Sequence, residues 1–229
     1  MTISIVNHGS VPQAVDGTGK IYTLTLPSSA TAGNALFITV PINSGGGFSS
    51  CFTNLGDAVS LDYADTTNNI WYLSVSNVTG SPTTLTLTAS TSYAISGTIG
   101  YEEVSGVGTS TYVTQTTLTP PYASSHFTVS FTTTSASAYV RTCQKFGSSA
   151  GAVTSISAGY SSDALGSIVD LYSSAVVTAG AQSFTFNVAN VSVCSGAVLE
   201  YSLTSSTPSF PSASSKRFNN QRHSFGLRS

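Results

Sequence analysis

Charged side chains are scarce in this sequence, in which Asp, Glu, Lys and Arg together make up 7% of 229 residues. Globular proteins average about 25% charged residues, so the composition is unlike that of an ordinary metabolic enzyme. The chain is not expected to be disordered, because disorder requires low hydrophobicity with high net charge. Here 40% of the residues are hydrophobic and the formal net charge is -2. A neutral outer surface follows, of the kind that suits extracellular or particle-bound proteins.

Long apolar runs are also absent, and the longest ones have the length of a strand. A membrane-spanning helix requires about 20 apolar residues, so no membrane partner is predicted. Residues 1–6 lack the basic start and the apolar stretch of a secretory leader, and we expect none.

Cysteine is limited to Cys51, Cys143 and Cys194, an odd number that argues against a disulfide framework. No two of them have the CxxC spacing of a zinc site, and no cofactor is predicted. Cys143 and Cys194 fall within strand patterns and are interpreted as buried free thiols, with a single disulfide bridge as the alternative. Cys51 follows a Gly/Ser-rich stretch and is expected to be partly exposed.

Residues that could form a catalytic site are few. The only glutamates are Glu102, Glu103 and Glu200. Because neighbours on a strand point to opposite sides, Glu102 and Glu103 cannot pair across a glycosidase cleft. We expect one of them, and Glu200, to accept hydrogen bonds from turn backbone at a strand end. The three histidines accompany no GxSxG elbow and no known cysteine nucleophile setting, so the chain is not expected to be an enzyme.

Serine and threonine are abundant, at 74 of 229 residues, and they alternate with apolar residues in strand-length segments. In 84–89 three threonines alternate with Leu, Leu and Ala, which predicts a strand with one polar and one apolar face. Residues 70–75 show a similar period of two and are predicted to form a half-buried strand. Residues 35–40 are nearly all apolar, which predicts a central strand buried on both faces.

The pattern of 70–106 returns in 168–203 as strand, turn, strand and a final strand that carries a carboxylate, with Glu200 in the place of Glu103. Roughly twelve to fourteen short strands and no amphipathic helix indicate an all-β, antiparallel sandwich resembling a jelly roll. We predict one domain over 1–203, built from two pseudo-symmetric halves at about 1–118 and 122–203.

The densest group of acidic residues is Asp57, Asp62 and Asp65, followed by Asn68 and Asn69. Calcium binds six to eight oxygens from such side chains, but the spacing matches no EF-hand loop. The alternative is that these residues form turns by bonding their own backbone, and it is the preferred interpretation. No metal is predicted, and the three aspartates remain a weak calcium candidate.

The C-terminal part of the chain differs from the rest. Residues 204–215 are rich in Ser and Pro and indicate an extended linker. Residues 1–215 contain three basic and nine acidic residues, a net charge of -6, whereas 216–229 carry four basic residues and no acid. A basic arm on an acidic body can bind another subunit, with a disordered tail as the alternative. The arm residues expected to bind a partner are Lys216, Arg217, Phe218, Arg222, Phe225, Leu227 and Arg228.

Nucleic acid is not expected as a partner, because four charges without a basic patch on the body give little affinity for phosphate.

Four segments follow one another in the sequence: 27–38 (PSSATAGNALFI), Trp71-Tyr72 with Asn77-Val78-Thr79-Gly80, 84–87 (TLTL) and Glu103-Val104-Ser105-Gly106. In this order they resemble a β-sandwich domain found in many tailed-phage virion and bacterial surface proteins. Members of that family show a Gly-Asp-x-Leu strand, an aromatic hairpin with Asn-Val, a Thr/Val strand and a strand ending in Glu-Tyr-Ser-Gly. Asn34 stands where that family has Asp, and Val104 where it has Tyr, although Glu200-Tyr201-Ser202 has the family's form.

The resemblance covers about 27–203 and implies a building block of a particle, since the family has no catalytic residues to transfer. We expect a capsid decoration or cement protein of a phage virion, assembled in the host cytoplasm. Its expected partners are the major capsid protein or other virion subunits, and it is expected to form a homo-oligomer.

The alternative is a receptor- or glycan-binding module of a tail fibre or cell-surface adhesin, and a hydrolase is a third hypothesis. A binding module exposes aromatic side chains on loops. The candidates are Tyr63, Tyr93, Tyr112, Tyr122 and Tyr160.

Overall fold

The computed structural model describes residues 2–106, 109–118, 126–146, 153–165, 168–189 and 194–204. Within these residues the chain forms seventeen strands, all paired antiparallel, and no helix, which confirms the predicted all-β class. The described residues therefore include no helix that is long and apolar enough to cross a membrane. The predicted arm at 216–229, and the linker from 205 onward, lie outside the described residues.

The strands fall into two consecutive sets. The first set is β1 (Ser4–Val11), β2 (Gln13–Val15), β3 (Ile21–Thr25), β4 (Ala35–Pro41), β5 (Phe48–Thr53), β6 (Ser60–Asp65), β7 (Ile70–Val75), β8 (Thr84–Ala89) and β9 (Ile99–Ser105). The second set is β10 (Thr109–Leu118), β11 (His126–Thr133), β12 (Ala138–Phe146), β13 (Val153–Ile156), β14 (Tyr160–Ala164), β15 (Ile168–Ser173), β16 (Gly180–Val188) and β17 (Cys194–Thr204).

Each set forms two sheets. The first set gives inner sheet 1, in the order β1-β9-β4-β7-β6, and outer sheet 1, in the order β2-β3-β8-β5. The second set gives inner sheet 2, in the order β10-β17-β12-β15-β14, and outer sheet 2, in the order β11-β16-β13. Without β2, the first set has eight strands, as the second set does. Counted along the chain, the eight strands of each set pair with one another in the same order.

The division between the sets differs from the expected one at 118–122. β10 pairs along its length with β17, from Thr109 opposite Thr204 to Leu118 opposite Gly196, so it belongs to inner sheet 2. The sheets therefore divide the chain at 107–108. The Pro120-Pro121 break that suggested a crossover lies instead between two strands of the second set.

Three apolar cores separate four layers of sheet. One core, which includes Leu24, Leu36 and Trp71, lies between the sheets of the first set. Another, which includes Phe127 and Phe186, lies between the sheets of the second set. The third joins the sets, because residues of inner sheet 1 and inner sheet 2 pack directly against each other. The molecule is a stack in which both inner sheets are covered on both faces.

This stacking explains the burial of individual strands. All seven residues of β4 are buried, as the apolar run predicts. All six residues of β7 are buried too, so the expectation of a half-buried strand there was wrong. The period of two in β7 reflects two different cores, because Trp71 and Leu73 face outer sheet 1 while Ile70 and Tyr72 face inner sheet 2. In outer sheets 1 and 2, strands β8 and β11 alternate between buried and more exposed residues, as predicted for 84–89.

Cys51 is buried in β5 instead of partly exposed, because that strand begins at Phe48 and places the side chain of Cys51 in the core. Burial raises the pKa of its free thiol to about 12. Cys143 is buried as predicted. The side chain of Cys194 lies outside the described part of the chain.

Candidate functional site

The largest group of buried charges lies between the two inner sheets and is centred on Arg141. This residue sits on β12, and its side chain is fully shielded from solvent. Its Nη2 atom lies 3.3 Å from Glu102 Oε2 on β9 and 3.3 Å from Asp170 Oδ2 on β15. The guanidinium also donates to Thr39 Oγ1 and to the carbonyl oxygen of Leu73. The group therefore connects β12 and β15 of inner sheet 2 with three strands of inner sheet 1.

One guanidinium and two carboxylates meet in this buried group. Burial raises the pKa of Glu102 well above its ordinary value, Arg141 opposes this rise, and Asp170 adds to it. Burial lowers the pKa of Arg141, but Glu102 and Asp170 outweigh it and hold that pKa well above its ordinary value. A buried charge requires partners of this kind, because it has lost its contact with water.

Three tyrosines complete the contact between the inner sheets. Tyr72 Oη accepts from the amide nitrogen of Cys143 at 3.0 Å. Tyr139 Oη lies 3.5 Å from Glu102 Oε2, and Tyr201 Oη donates to Asp62 Oδ2 at 2.8 Å. Burial is the main cause that raises the pKa of each phenol. The tyrosines thus stay protonated and connect the sheets by hydrogen bonds across an otherwise apolar core.

The expected role of the glutamates at strand ends is confirmed. Glu103 Oε1 accepts from the amide nitrogen of Thr31 at 2.8 Å, and Oε2 accepts from Asn7 Nδ2 at 2.8 Å. Glu200 accepts from the amide nitrogens of Thr134 and Ser135. The first turn precedes β4 and the second precedes β12, so the two glutamates have corresponding positions in the two sets of strands.

The pKa of Glu103 is lowered, because the hydrogen bonds from Asn7 and Thr31 outweigh the opposing effect of burial.

The three aspartates of the calcium candidate do not converge. Asp57 accepts from the hydroxyls of Thr53 and Thr79, and Thr79 is 22 positions away in the sequence. Asp62 accepts from Tyr201 between the inner sheets, and Asp65 accepts from Asn68. Among the described residues, no group of three or more His, Cys, Asp or Glu side chains is placed to hold a metal ion.

The glycan-binding candidates have different environments. Tyr93 is 64% exposed in the connection between β8 and β9 and adopts a left-handed backbone conformation with φ of 55°. Tyr63 stacks on Tyr72, and Tyr160 stacks on Phe184 with ring centroids 4.3 Å apart. The side chains of Tyr112 and Tyr122 lie outside the described residues. Of the described candidates, Tyr93 is the most exposed, whereas Tyr63 and Tyr160 are half-buried.

A contact between His8 and Asp163 was also not predicted from the sequence. His8 Nδ1 on β1 lies 2.9 Å from Asp163 Oδ1 on β14, and Asp163 also accepts from Tyr172 Oη at 2.9 Å. The contact joins the edges of the two inner sheets. Nothing in the sequence context of His8 connects it to a residue 155 positions away.

The distribution of charge among the sheets is unusual. No strand of the two outer sheets contains Asp, Glu, Lys or Arg, and every charged residue carried by a described strand lies on an inner sheet. The outer faces carry hydroxyls instead, such as the cross-strand pairs Thr23–Thr86 and Ser130–Ser183. Val15, Ile21 and Phe52 are the large apolar side chains exposed among them.

All nine carboxylates of the chain are used for internal contacts. Besides those already described, Asp16 accepts from Thr18 and from the amide nitrogens of Lys20 and Ile21. Each of these carboxylates thus accepts a hydrogen bond or lies within ion-pair distance of a basic side chain. Comparison with known proteins adds nothing to this picture, since no family model, curated protein or solved structure matches the chain.

Proposed function

We propose that the chain is a non-enzymatic building block of a particle surface, and specifically a capsid decoration or cement protein of a tailed-phage virion. The observation that supports this proposal is the placement of charge: all nine carboxylates make internal contacts, and the strands of both outer sheets are uncharged. A carboxylate that acts as a catalytic acid or base is available to a substrate, whereas the nine carboxylates here are engaged within the protein. A body of this kind is suited to serve as a rigid block whose surface is held or displayed.

The basic arm at 216–229 supplies the attachment in this proposal. The body carries a net charge of -6 and the arm +4, so the arm is attracted to acidic surfaces and the body is not. Phe218, Phe225 and Leu227 add apolar anchors of the kind that dominate binding energy at interfaces. The partner is the major capsid protein or another virion subunit, and the chain forms a homo-oligomer at a symmetric position of the shell.

Removal of residues 216–229 tests the attachment. Shells that lack the protein are incubated with the full chain or with the truncated chain, and bound protein is measured after sedimentation. The proposal predicts that truncation abolishes binding while the circular dichroism spectrum of the body is unchanged. Equal binding by the truncated chain would refute the role of the arm.

Two further variants separate the contributions within the arm. Replacing its four basic residues by Gln is expected to weaken binding most at low salt, because surface charges are screened as ionic strength rises. Replacing Phe218, Phe225 and Leu227 by Ala is expected to weaken binding equally at all salt concentrations.

We also propose that the two sets of strands are pseudo-symmetric copies of one unit resembling a jelly roll. The support is the matching strand order, with β1 and β3–β9 corresponding to β10–β17, and the matching positions of Glu103 and Glu200. A measured structure in which one set superposes on the other along the whole strand order would establish this. Superposition limited to single hairpins would contradict it.

The second candidate is a receptor- or glycan-binding module, and Tyr93 favours it. An exposed aromatic ring held in a left-handed conformation is a feature often associated with binding sites. Substitution Tyr93→Ala is expected to reduce attachment to host cells if this candidate is correct, and to leave attachment to shells unchanged.

A further inference from the structure

A cleft of about 250 Å³ opens where the first set of strands meets the second. Its first side is formed by the end of β4 and the turn between β6 and β7, including Pro41, Ile42 and Asn69. Its other side is formed by Lys145 on β12 and by Ile168 at the start of β15. Drug-sized ligands occupy clefts of about 300–1,000 Å³, so this one suits a smaller group such as a single sugar ring.

Lys145 places a cation in the cleft that has no partner among the described residues. None of them forms an ion pair or a hydrogen bond with its side chain, in contrast to Arg141 on the same strand. Lys145 is also half-buried, at a position opposite Ile168 in the sheet. A lysine that is partly withdrawn from water without a carboxylate partner is suited to bind an anionic ligand.

The remaining lining combines amides, hydroxyls and apolar groups. Asn68 is buried and held by Asp65, which accepts from its Nδ2 at 2.7 Å, and by Ser195, whose hydroxyl donates to its Oδ1. Asn69 has a left-handed backbone conformation with φ of 59°. Ser96 and Thr98 also line the cleft, and the amide nitrogen of Ser96 donates to the carbonyl oxygen of Pro41 at 3.1 Å. The turn is therefore fixed in place before any ligand binds, which lowers the entropy lost on binding.

The combination of one lysine with amide, hydroxyl and apolar groups favours some anionic ligands over others. Phosphate sites use several backbone N–H groups or several cations around one ligand, and this cleft has one cation. Amides and hydroxyls suit sugar hydroxyls, and Pro41, Ile42, Leu165 and Ile168 provide the apolar surface against which the face of a sugar ring packs. Two other clefts, lined by 130–132 with 181–183 and by 10–13 with 95–98, contain no charged side chain.

We propose that this cleft binds one carboxylate-bearing sugar residue, with Lys145 contacting the carboxylate and Asn69, Ser96 and Thr98 contacting hydroxyls. This inference develops the second candidate function and is independent of attachment through the arm. If sugar binding fails, shell binding by the arm is unaffected, and the reverse also holds.

The test is a titration of the ¹⁵N-labelled full chain, followed by amide chemical shifts. The probes are D-glucuronate and N-acetylneuraminate, with D-glucose, acetate and inorganic phosphate as controls. Saturable shifts confined to amides around Asn69, Ser96 and Thr98 are expected for at least one acidic sugar, with a Kd on the order of 1 mM for a ligand of this size. A positive result with only one of the two identifies the kind of acidic sugar.

Two variants make the test specific. Lys145→Gln removes the charge and is expected to weaken acidic-sugar binding by about tenfold or more, the value of a hydrogen bond to a charged group. Lys20→Gln removes the body's other lysine, which lies outside the cleft in the turn before β3, and is expected to leave binding unchanged. The amide spectra of both variants also report whether the fold is intact.

Four results would overturn the proposal. They are the absence of saturable shifts with either acidic sugar, equal affinity in Lys145→Gln, equal affinity for D-glucose, and equal affinity for acetate or phosphate. The last of these would indicate a simple anion site that does not recognise a sugar.

Discussion

At the scale of single residues, the carboxylates act as hydrogen-bond acceptors for turns. Glu103 and Glu200 each accept from backbone N–H groups that precede an inner-sheet strand, where those groups have no partner in a ladder. A buried N–H without a partner costs about 1–3 kcal/mol, so these glutamates stabilise the turns by satisfying them. The sequence signals this use, because a carboxylate near the end of a strand with no second acid in reach has few other roles.

The substitution Glu103→Gln tests this role and has a defined pH dependence. A glutamate whose pKa is lowered on folding stabilises the protein above its unfolded pKa, and that stabilisation is lost as pH falls through the folded pKa. We expect the variant to lower the free energy of unfolding by about 1–3 kcal/mol at pH 7, with the difference shrinking below pH ~4.5. Urea denaturation at several pH values measures it.

The comparison variant is Asp16→Asn, whose carboxylate makes similar contacts in an exposed turn. A smaller effect is expected there, since water replaces the lost contacts. A Glu103→Gln variant that is as stable as the wild type at pH 7 would show that the carboxylate is dispensable.

Cys51 provides a second test at this scale. Its thiol is buried, and burial raises its pKa to about 12, so almost no reactive thiolate forms near pH 8. Iodoacetamide at pH 8 is expected to leave Cys51 unmodified in the native protein and to modify it fully in guanidinium chloride. Peptide mass spectrometry of the alkylated chain gives the extent at this residue. Rapid native modification would place Cys51 at the surface.

At the scale of strands and sheets, Arg141 and its partners join the two inner sheets. Removing one member of a buried charge group leaves the others uncompensated and costs about 3–5 kcal/mol, whereas replacing all members by neutral residues is often nearly neutral. We therefore expect Arg141→Met to destabilise the protein by about 3–5 kcal/mol. The triple variant Arg141→Met, Glu102→Gln, Asp170→Asn is expected to recover much of this loss.

Equilibrium denaturation of the single and triple variants measures the difference. If the triple variant is as unstable as the single one, the loss comes from packing of the long Arg141 side chain and the electrostatic explanation fails.

The strands themselves follow from periodicity, but their arrangement in layers does not. The alternation in β8 and the continuous apolar run in β4 determine which faces are buried in each strand. The period of two in β7 indicated one buried face, because sequence alone does not show that a second sheet covers the other side. The pairing of Arg141 with Glu102 and Asp170 was likewise missed. The sequence did contain a signal for this pairing. In a chain with so few charged residues, a charged residue inside a strand pattern is expected to pair with one of opposite charge.

The cleft shows the same limit of sequence analysis, because its lining residues are far apart in the sequence. Lys145, Asn69 and Thr98 come together only because the two sets of strands pack through their inner sheets. No motif links them, and their spacing carries no information. Periodicity predicts the strands, whereas the contact between the sets depends on the whole apolar surface of each inner sheet.

At the scale of the whole molecule, the shared core makes the two sets of strands depend on each other. Phe37 of inner sheet 1 packs on Tyr139 and Tyr201 of inner sheet 2, with ring centroids 4.6 and 4.7 Å apart. Separation would expose this core and the buried charges around Arg141 to water. We therefore expect a single cooperative unfolding transition, seen as equal calorimetric and van't Hoff enthalpies.

Expression of 1–106 alone extends this prediction. The fragment is expected to aggregate or self-associate, because its exposed inner sheet is a large apolar patch. A monomeric, folded fragment would show that each set is an independent domain.

The central proposal is that a body with uncharged outer sheets is displayed on a shell and held there by its basic arm. The number of copies per particle tests it most directly, measured by quantitative mass spectrometry of purified virions against the major capsid protein. The account predicts a copy number in fixed proportion to the shell subunits, on the order of hundreds per particle, as closed symmetric shells present each position many times. A few copies per particle would place the chain in a tail or fibre, and its absence from virions would contradict the account altogether.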